Sequence, residues 1–123
     1  MKKILIIEDE ENIRKTIARL LTGAGYKTVQ APSAEVGLGF LSTIDIDLII
    51  IDIILPGQEG LGTIRMLRRE GNQTPIVAIT GVQDKTYLQM ASHLGANATM
   101  AKPFEGYELL KLVVDLLEQG ESQ

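Results

Sequence analysis

Three carboxylates, a hydroxyl and an ammonium stand out in this sequence because each follows a short apolar run. Glu8 and Asp9 follow Lys3-Ile-Leu-Ile-Ile7, Asp52 follows Leu48-Ile-Ile-Ile51, Thr80 follows Pro75-Ile-Val-Ala-Ile79, and Lys102 follows Ala98–Ala101. An Asp or Thr after a strand is, by itself, an ordinary cap or turn residue. As a set these groups are chemically complementary. Glu8, Asp9 and Asp52 in one crevice would repel one another, and at ~4 Å with an effective dielectric of ~20 each like-charge pair costs about 4 kcal/mol. Lys102 alone cannot offset that, whereas a hard divalent cation can. Oxygen-only ligands favour Mg²⁺, and with one His and no Cys a zinc site is not expected. A carboxylate beside Mg²⁺, faced by an ammonium and a hydroxyl, suits phosphoryl transfer. The carboxylate attacks phosphorus while the cation and Lys102 neutralise the equatorial oxygens.

The surrounding elements must bring these groups together. The run from Leu48 to Ile51 has no polar alternation, so neither of its faces can be wet, as in a strand buried on both sides of a parallel sheet. It ends in Asp52 and a Pro56-Gly57 turn, and ligands of open parallel sheets bind just outside the carboxyl ends of the strands. The acidic stretch from Glu8 to Asn12 feeds a first helix with Ile13, Ile17, Leu20 and Leu21 on one side, Arg14, Lys15 and Arg19 elsewhere, and Gly23 and Gly25 as stops. Tyr26–Ala31 is a less apolar strand, nearer an edge. Ser33 is placed to cap a second helix with Val36, Phe40 and Leu41 inward, in which Gly37 and Gly39 each cost roughly 1 kcal/mol relative to Ala. A third helix over 60–70 turns Leu61, Ile64 and Leu67 inward, with Arg65, Arg68 and Arg69 on a solvated face, and Gly71-Asn72 ends it. A fourth over 84–94 stops at Gly95, and a last over 106–118 buries Leu109, Leu110, Val113, Leu116 and Leu117. Strand and helix signals alternate, which predicts an α/β domain with a five-stranded, doubly wound parallel sheet. All strand exits then share one rim. The domain is expected over 1–119, with 120–123 a disordered tail or the start of a linker.

Composition narrows the function classes. At 123 residues, 45% apolar and 23% charged, the chain reads as one soluble domain. Met1-Lys2-Lys3 precedes only four aliphatics, too short for a signal peptide or a membrane span, so a cytoplasmic setting and no membrane partner are expected. A net charge of -4 and 4% aromatics argue against direct nucleic-acid binding, which needs a basic face or stacking platforms. No Gly-rich nucleotide loop is present. His93 reads as a surface or capping residue near a helix end, and Met66, Met90 and Met100 as core filling.

Ile-Ile-Glu8-Asp9-Glu10, Asp52-Ile-Ile-Leu-Pro56-Gly57, Ile79-Thr80-Gly81 and Lys102-Pro103-Phe104 together resemble the receiver domain of bacterial response regulators, over nearly the whole chain and in the right order. The resemblance implies a flavodoxin-like sheet of order 2-1-3-4-5 in a two-component signalling switch. Asp52 would be the phosphoacceptor, served by the phosphohistidine of a sensor histidine kinase or a phosphotransfer protein. Asp9, Asp52 and the backbone carbonyl of Ile54 would hold Mg²⁺, with Glu8 assisting. Thr80 would bond a phosphoryl oxygen and move on activation, Lys102 would pair with the phosphate, and the Lys102–Pro103 bond would be cis. No catalysis is implied beyond the domain's own phosphorylation and dephosphorylation. The implied partners are a downstream effector or a fused output domain beyond Gln123, with the chain a monomer or a phosphorylation-dependent dimer.

One position departs from the family. Receivers usually carry Tyr or Phe three residues before the strand-five Lys, and here that residue is Thr99. Thr cannot serve as a rotating aromatic plug, so the switch is expected to repack Tyr87 or Tyr107 or to work through loop movement. Ile54 and Val82, two residues beyond Asp52 and Thr80, are apolar and cannot position an attacking water, which predicts slow self-dephosphorylation. Three other readings compete. Thr99 lends support to a degenerate receiver acting as a phosphorylation-independent interaction module. A flavodoxin-like flavin binder is disfavoured by the acidic crevice and scarce aromatics. An aspartate-nucleophile phosphatase would want a second Asp where Ile54 stands.

Overall fold

Each buried strand sends alternate side chains into two separate cores, which is why the apolar runs lack polar interruptions. The computed structural model describes residues 1–54, 59–81 and 85–121. Its sheet comprises β1 (Lys3–Ile7), β2 (Lys27–Ala31), β3 (Leu48–Asp52), β4 (Ile76–Thr80) and β5 (Ala98–Ala101), all parallel, in the order β2-β1-β3-β4-β5. Ile4, Ile6, Leu48, Ile50, Val77 and Ile79 face α1 (Glu11–Gly23) and α5 (Gly106–Glu121), where Ile17, Leu21, Leu109, Val113 and Leu117 are buried. Leu5, Ile7, Ile49, Ile51 and Ala78 face α2 (Ala34–Leu41), α3 (Glu59–Arg69) and α4 (Lys85–Leu94), where Ala34, Ile64, Leu67 and Ala91 are buried. The five-stranded, doubly wound α/β expectation is met. β2 is an edge strand with Lys27 and Gln30 exposed. No helix among the described residues is long and apolar enough to cross a membrane.

Several local expectations change. Ser33 does cap α2, its Oγ accepting the Val36 N–H at 3.2 Å, but Val36 is 41% exposed rather than inward. Ala34 and Gly37 form the buried face instead. A Cβ on Gly37 would lie 2.5 Å from Ile7 Cδ1, so α2 sits against the sheet through its smallest residues and the bulky Val36 is turned outward. The glycine that looked like a weakness in the helix is what lets the helix dock. Met90 is 44% exposed on α4 and is not core filling, whereas Met100 is buried. α5 continues through Glu121, beyond the expected 118. The Pro56-Gly57 turn, Val82, Asp84 and residues 122–123 lie outside the described residues.

The solvated-face expectation fails for Arg68. Its guanidinium donates to Gly95 O at 3.0 Å, Asn72 O at 2.9 Å, Thr74 O at 2.8 Å and Asn97 Oδ1 at 2.9 Å. It ties the end of α3 to the segments that open β4 and β5. Gly95 has φ +124°, and any Cβ there would meet Arg68 Cγ at 2.6 Å, so this glycine ends α4 and makes room for the clamp. Arg65 and Arg69 are exposed as expected.

Candidate functional site

The strand register delivers the reactive groups to one rim. Glu8 N–H donates to Ala31 O at 3.1 Å, one step past the β1–β2 ladder. Asp52 is level with Ile79, and the next N–H, that of Ile53, donates to Ile79 O at 2.9 Å. Thr80 is level with Ala101, and the next N–H, that of Lys102, donates to Thr80 O at 2.7 Å. Parallel pairing thus places Glu8, Asp52, Thr80 and Lys102 at the same end of neighbouring strands.

At the centre, Lys102 Nζ lies 2.6 Å from Glu8 Oε1 and 2.9 Å from Asp52 Oδ2. Glu8, Asp52 and Thr80 are buried, while Asp9 is exposed. The other oxygen of Asp52, Oδ1, accepts the Ile54 N–H at 2.9 Å. The carboxylate is therefore held in one orientation from both sides. Ile54 itself is exposed at the mouth of the site.

The charge balance of this pocket is unequal. Burial pushes the Glu8 carboxyl up from 4.5 to about 7, Asp52 and Asp9 add to the rise, and the Lys102 ammonium opposes it. Burial alone would pull Lys102 down, but its bonds to Glu8 and Asp52 outweigh that and hold it above its ordinary value. One ammonium therefore serves a group of three acids. Glu8, Asp9 and Asp52 each offer an oxygen, and these oxygens all lie within 4.8 Å of one another. A donor set of carboxylate oxygens with a deficit of positive charge fits a hard divalent cation such as Mg²⁺, and exposed Asp9 leaves that corner open to solvent.

Over residues 4–114 the sequence matches the response regulator receiver domain family. The chain is a receiver domain. It is 37% identical over 109 residues to the transcriptional regulatory protein DltR of Streptococcus agalactiae, covering 88% of this chain and 48% of that protein. It is 36% identical over 118 residues to the transcriptional regulatory protein CusR of Escherichia coli, covering 96% and 52% respectively. The chain thus spans about half the length of these curated relatives. Among solved structures, a CheY-like receiver domain protein from Methanospirillum hungatei superposes with a TM-score of 0.91 at 25% identity, covering 99% of this chain and 98% of that one. This is the receiver of a two-component response regulator, and an acidic Mg²⁺ pocket is general in that family.

The cis Lys102–Pro103 bond implied by the resemblance is present in this receiver. Thr99 is half-buried on β5 and lines a groove of about 710 Å³ with Phe104, Tyr107 and Lys111. Tyr107 is 71% exposed and Tyr87 is also at the surface, so in this state neither ring fills the place of the missing aromatic. His93 is exposed in the last turn of α4, as expected.

Two residues that bear on the receiver site gave no sequence signal of their own. Gly60 opens α3 directly against the strand that carries Asp52. A Cβ there would overlap Ile53 Cα and lie 2.5 Å from Asp52 O. Arg14, on the polar side of α1, donates from Nη1 to the Glu8 carbonyl at 3.0 Å. Neither contact is periodic, so no pattern of hydrophobicity could have disclosed it.

Proposed function

We propose that Asp52 is the phosphoacceptor, that it receives a phosphoryl group from a phosphohistidine on a sensor histidine kinase or phosphotransfer protein, and that the modified domain presents a changed surface to an effector or output domain. The observation that carries this reading is the double hold on the Asp52 carboxylate, by the Ile54 N–H on Oδ1 and by Lys102 Nζ on Oδ2. A free carboxylate rotates, whereas this one is fixed with a cation beside it, as nucleophilic attack in line with a leaving group requires.

In the transfer, a carboxylate oxygen of Asp52 forms an O–P bond as the P–N bond breaks, its electron pair leaving with the imidazole. Lys102 has three N–H donors, two of them on Glu8 and Asp52, and the third can meet an incoming phosphoryl oxygen. Thr80, buried at the end of β4, supplies a hydroxyl on the same rim. Glu8, Asp9 and Asp52, with the Ile54 carbonyl, are the residues we assign to Mg²⁺, which when bound supplies charge neutralisation for the phosphoryl oxygens. Apolar Ile54 at the mouth offers no group to orient a hydrolytic water, which favours a long-lived acyl phosphate. We place the protein in the cytoplasm, with no direct nucleic-acid contact by this domain and as a monomer or a phosphorylation-dependent dimer. Thr99 favours a readout through loop movement or repacking of Tyr87 or Tyr107.

Intact mass after incubation with Mg²⁺ and acetyl phosphate tests the assignment. One phosphoryl adduct is expected in wild type and none in Asp52→Asn. Loss of labelled phosphate should then take minutes or longer. No adduct from acetyl phosphate or from a phosphohistidine donor would leave the phosphorylation-independent interaction module as the better reading.

A further inference from the structure

The peptide that joins the two acidic residues of β1's exit is held by a side chain that none of the preceding roles uses. Arg14, in the first turn of α1, donates from Nη1 to the Glu8 carbonyl at 3.0 Å and from Nε to Gln30 Oε1 on the edge strand at 3.3 Å. The same residue's backbone N–H is fixed by Glu10 O at 2.9 Å. On the other side of Glu8, its N–H is fixed by Ala31 O. Glu8 is thus pinned at both ends of its backbone, and the next side chain along is that of Asp9. The group that pins the carbonyl is the guanidinium of a half-buried arginine that also reaches a second element, β2.

We propose that Arg14 is a positioning residue for the cation site: by fixing the Glu8–Asp9 peptide it sets the direction in which the Glu8 and Asp9 carboxylates converge with Asp52. This inference rests on the reading of Glu8, Asp9 and Asp52 as the Mg²⁺ ligands. It makes a counter-intuitive demand. A guanidinium near a cation site repels the cation, so by charge alone its removal should tighten Mg²⁺ binding. By positioning, its removal should weaken binding, as the loss of partners that orient metal ligands typically does by 10–100-fold. The two effects have opposite signs.

The test is calorimetric titration of Mg²⁺ alone into unphosphorylated wild type, Arg14→Met and Arg14→Lys, with thermal midpoints in EDTA as the check on folding. The expected result is a Kd about tenfold weaker in Arg14→Met, partial recovery in Arg14→Lys, which keeps the charge and a donor for the Glu8 carbonyl, and metal-free midpoints close to wild type. Arg14→Met binding as tightly as wild type or more tightly would overturn the proposal. So would equal weakness of the lysine variant, or a metal-free midpoint that collapses in step with affinity. Absence of Mg²⁺ binding in wild type itself would instead remove the cation-site reading, and this inference with it.

Discussion

The two rims of this sheet each gather several oxygens around one basic side chain, and they do so with opposite consequences. At the amino rim, Arg68 meets the carbonyls of Asn72, Thr74 and Gly95 and the amide oxygen of Asn97. These acceptors are neutral. They do not repel one another, and the Asn97 amide oxygen also accepts the Ile76 N–H at 2.9 Å, so the cluster is satisfied and single-state. Burial draws the Arg68 guanidinium below its ordinary value, but far from any pH at which it would lose its charge. At the carboxyl rim, Lys102 meets the carboxylates of Glu8 and Asp52, with Asp9 close by. Those acceptors do repel, and burial holds the Glu8 carboxyl well above the usual carboxylate range even beside the ammonium. The first arrangement is a rivet and the second is a site, and the difference lies in the charge of the oxygens rather than in the geometry around the base.

The largest effect of a single substitution is expected at Arg68. Arg68→Ala would leave the carbonyls of Asn72, Thr74 and Gly95 without this donor, while the Asn97 amide oxygen keeps the Ile76 N–H; with a net cost of 1–3 kcal/mol per stranded group, reduced by partial access to water, we expect a loss of about 4 kcal/mol. Urea unfolding would read it, while phosphoryl acceptance per folded molecule should be unchanged. A stability loss below about 1 kcal/mol would mean that the clamp is no more than an ordinary surface pair.

The carboxyl rim should instead respond to pH and metal. Below 4.5 Glu8 is protonated whether the chain is folded or not. Between 4.5 and about 7 the unfolded chain gives up that proton and the folded protein keeps it, so stability falls as pH rises. For a shift of that size the decline attributable to Glu8 is at most about 3 kcal/mol, and it levels off about one pH unit above 7. Denaturation in EDTA at pH 5 and pH 8 measures it as the difference between wild type and Glu8→Gln, which should lack that decline. Mg²⁺ should flatten the wild-type profile and bind more tightly at pH 8 than at pH 6. A pH-independent difference between wild type and Glu8→Gln would show that Glu8 is not held protonated by its burial.

A smaller effect is expected at Gly60. Gly60→Ala forces a methyl group onto the backbone of Ile53 and the Asp52 carbonyl, which should cost about 2 kcal/mol. It should also slow acetyl phosphate labelling of the folded fraction, because the backbone of the proposed acceptor is what moves. Labelling at the wild-type rate would confine Gly60 to packing. The smallest effect belongs to Val36, where Val36→Ser on the exposed side of α2 should change urea stability by no more than about 0.5 kcal/mol. A larger loss would put that side chain back in the core.

Much of this receiver was open to reading before its fold was known. The unbroken aliphatics of Leu48–Ile51 require burial on both faces, and alternation with amphipathic helices then requires parallel strands, so Glu8, Asp52, Thr80 and Lys102 had to reach one rim. Three mutually repelling carboxylates beside one ammonium pointed to a divalent cation on charge alone. Those conclusions follow from hydrophobic period and residue type, which are properties of the chain itself. The tertiary structure decided what depends on close approach between segments distant in sequence. It turned Val36 outward because Gly37 seats α2 on Ile7. It drew Arg68 out of an apparently solvated helix face because the segments opening β4 and β5 bring their carbonyls within reach. It also set Arg14 on the Glu8 carbonyl. A long basic side chain has no period to betray whether it ends in water or on a backbone oxygen, and only the packed chain determines which acceptor lies at its tip.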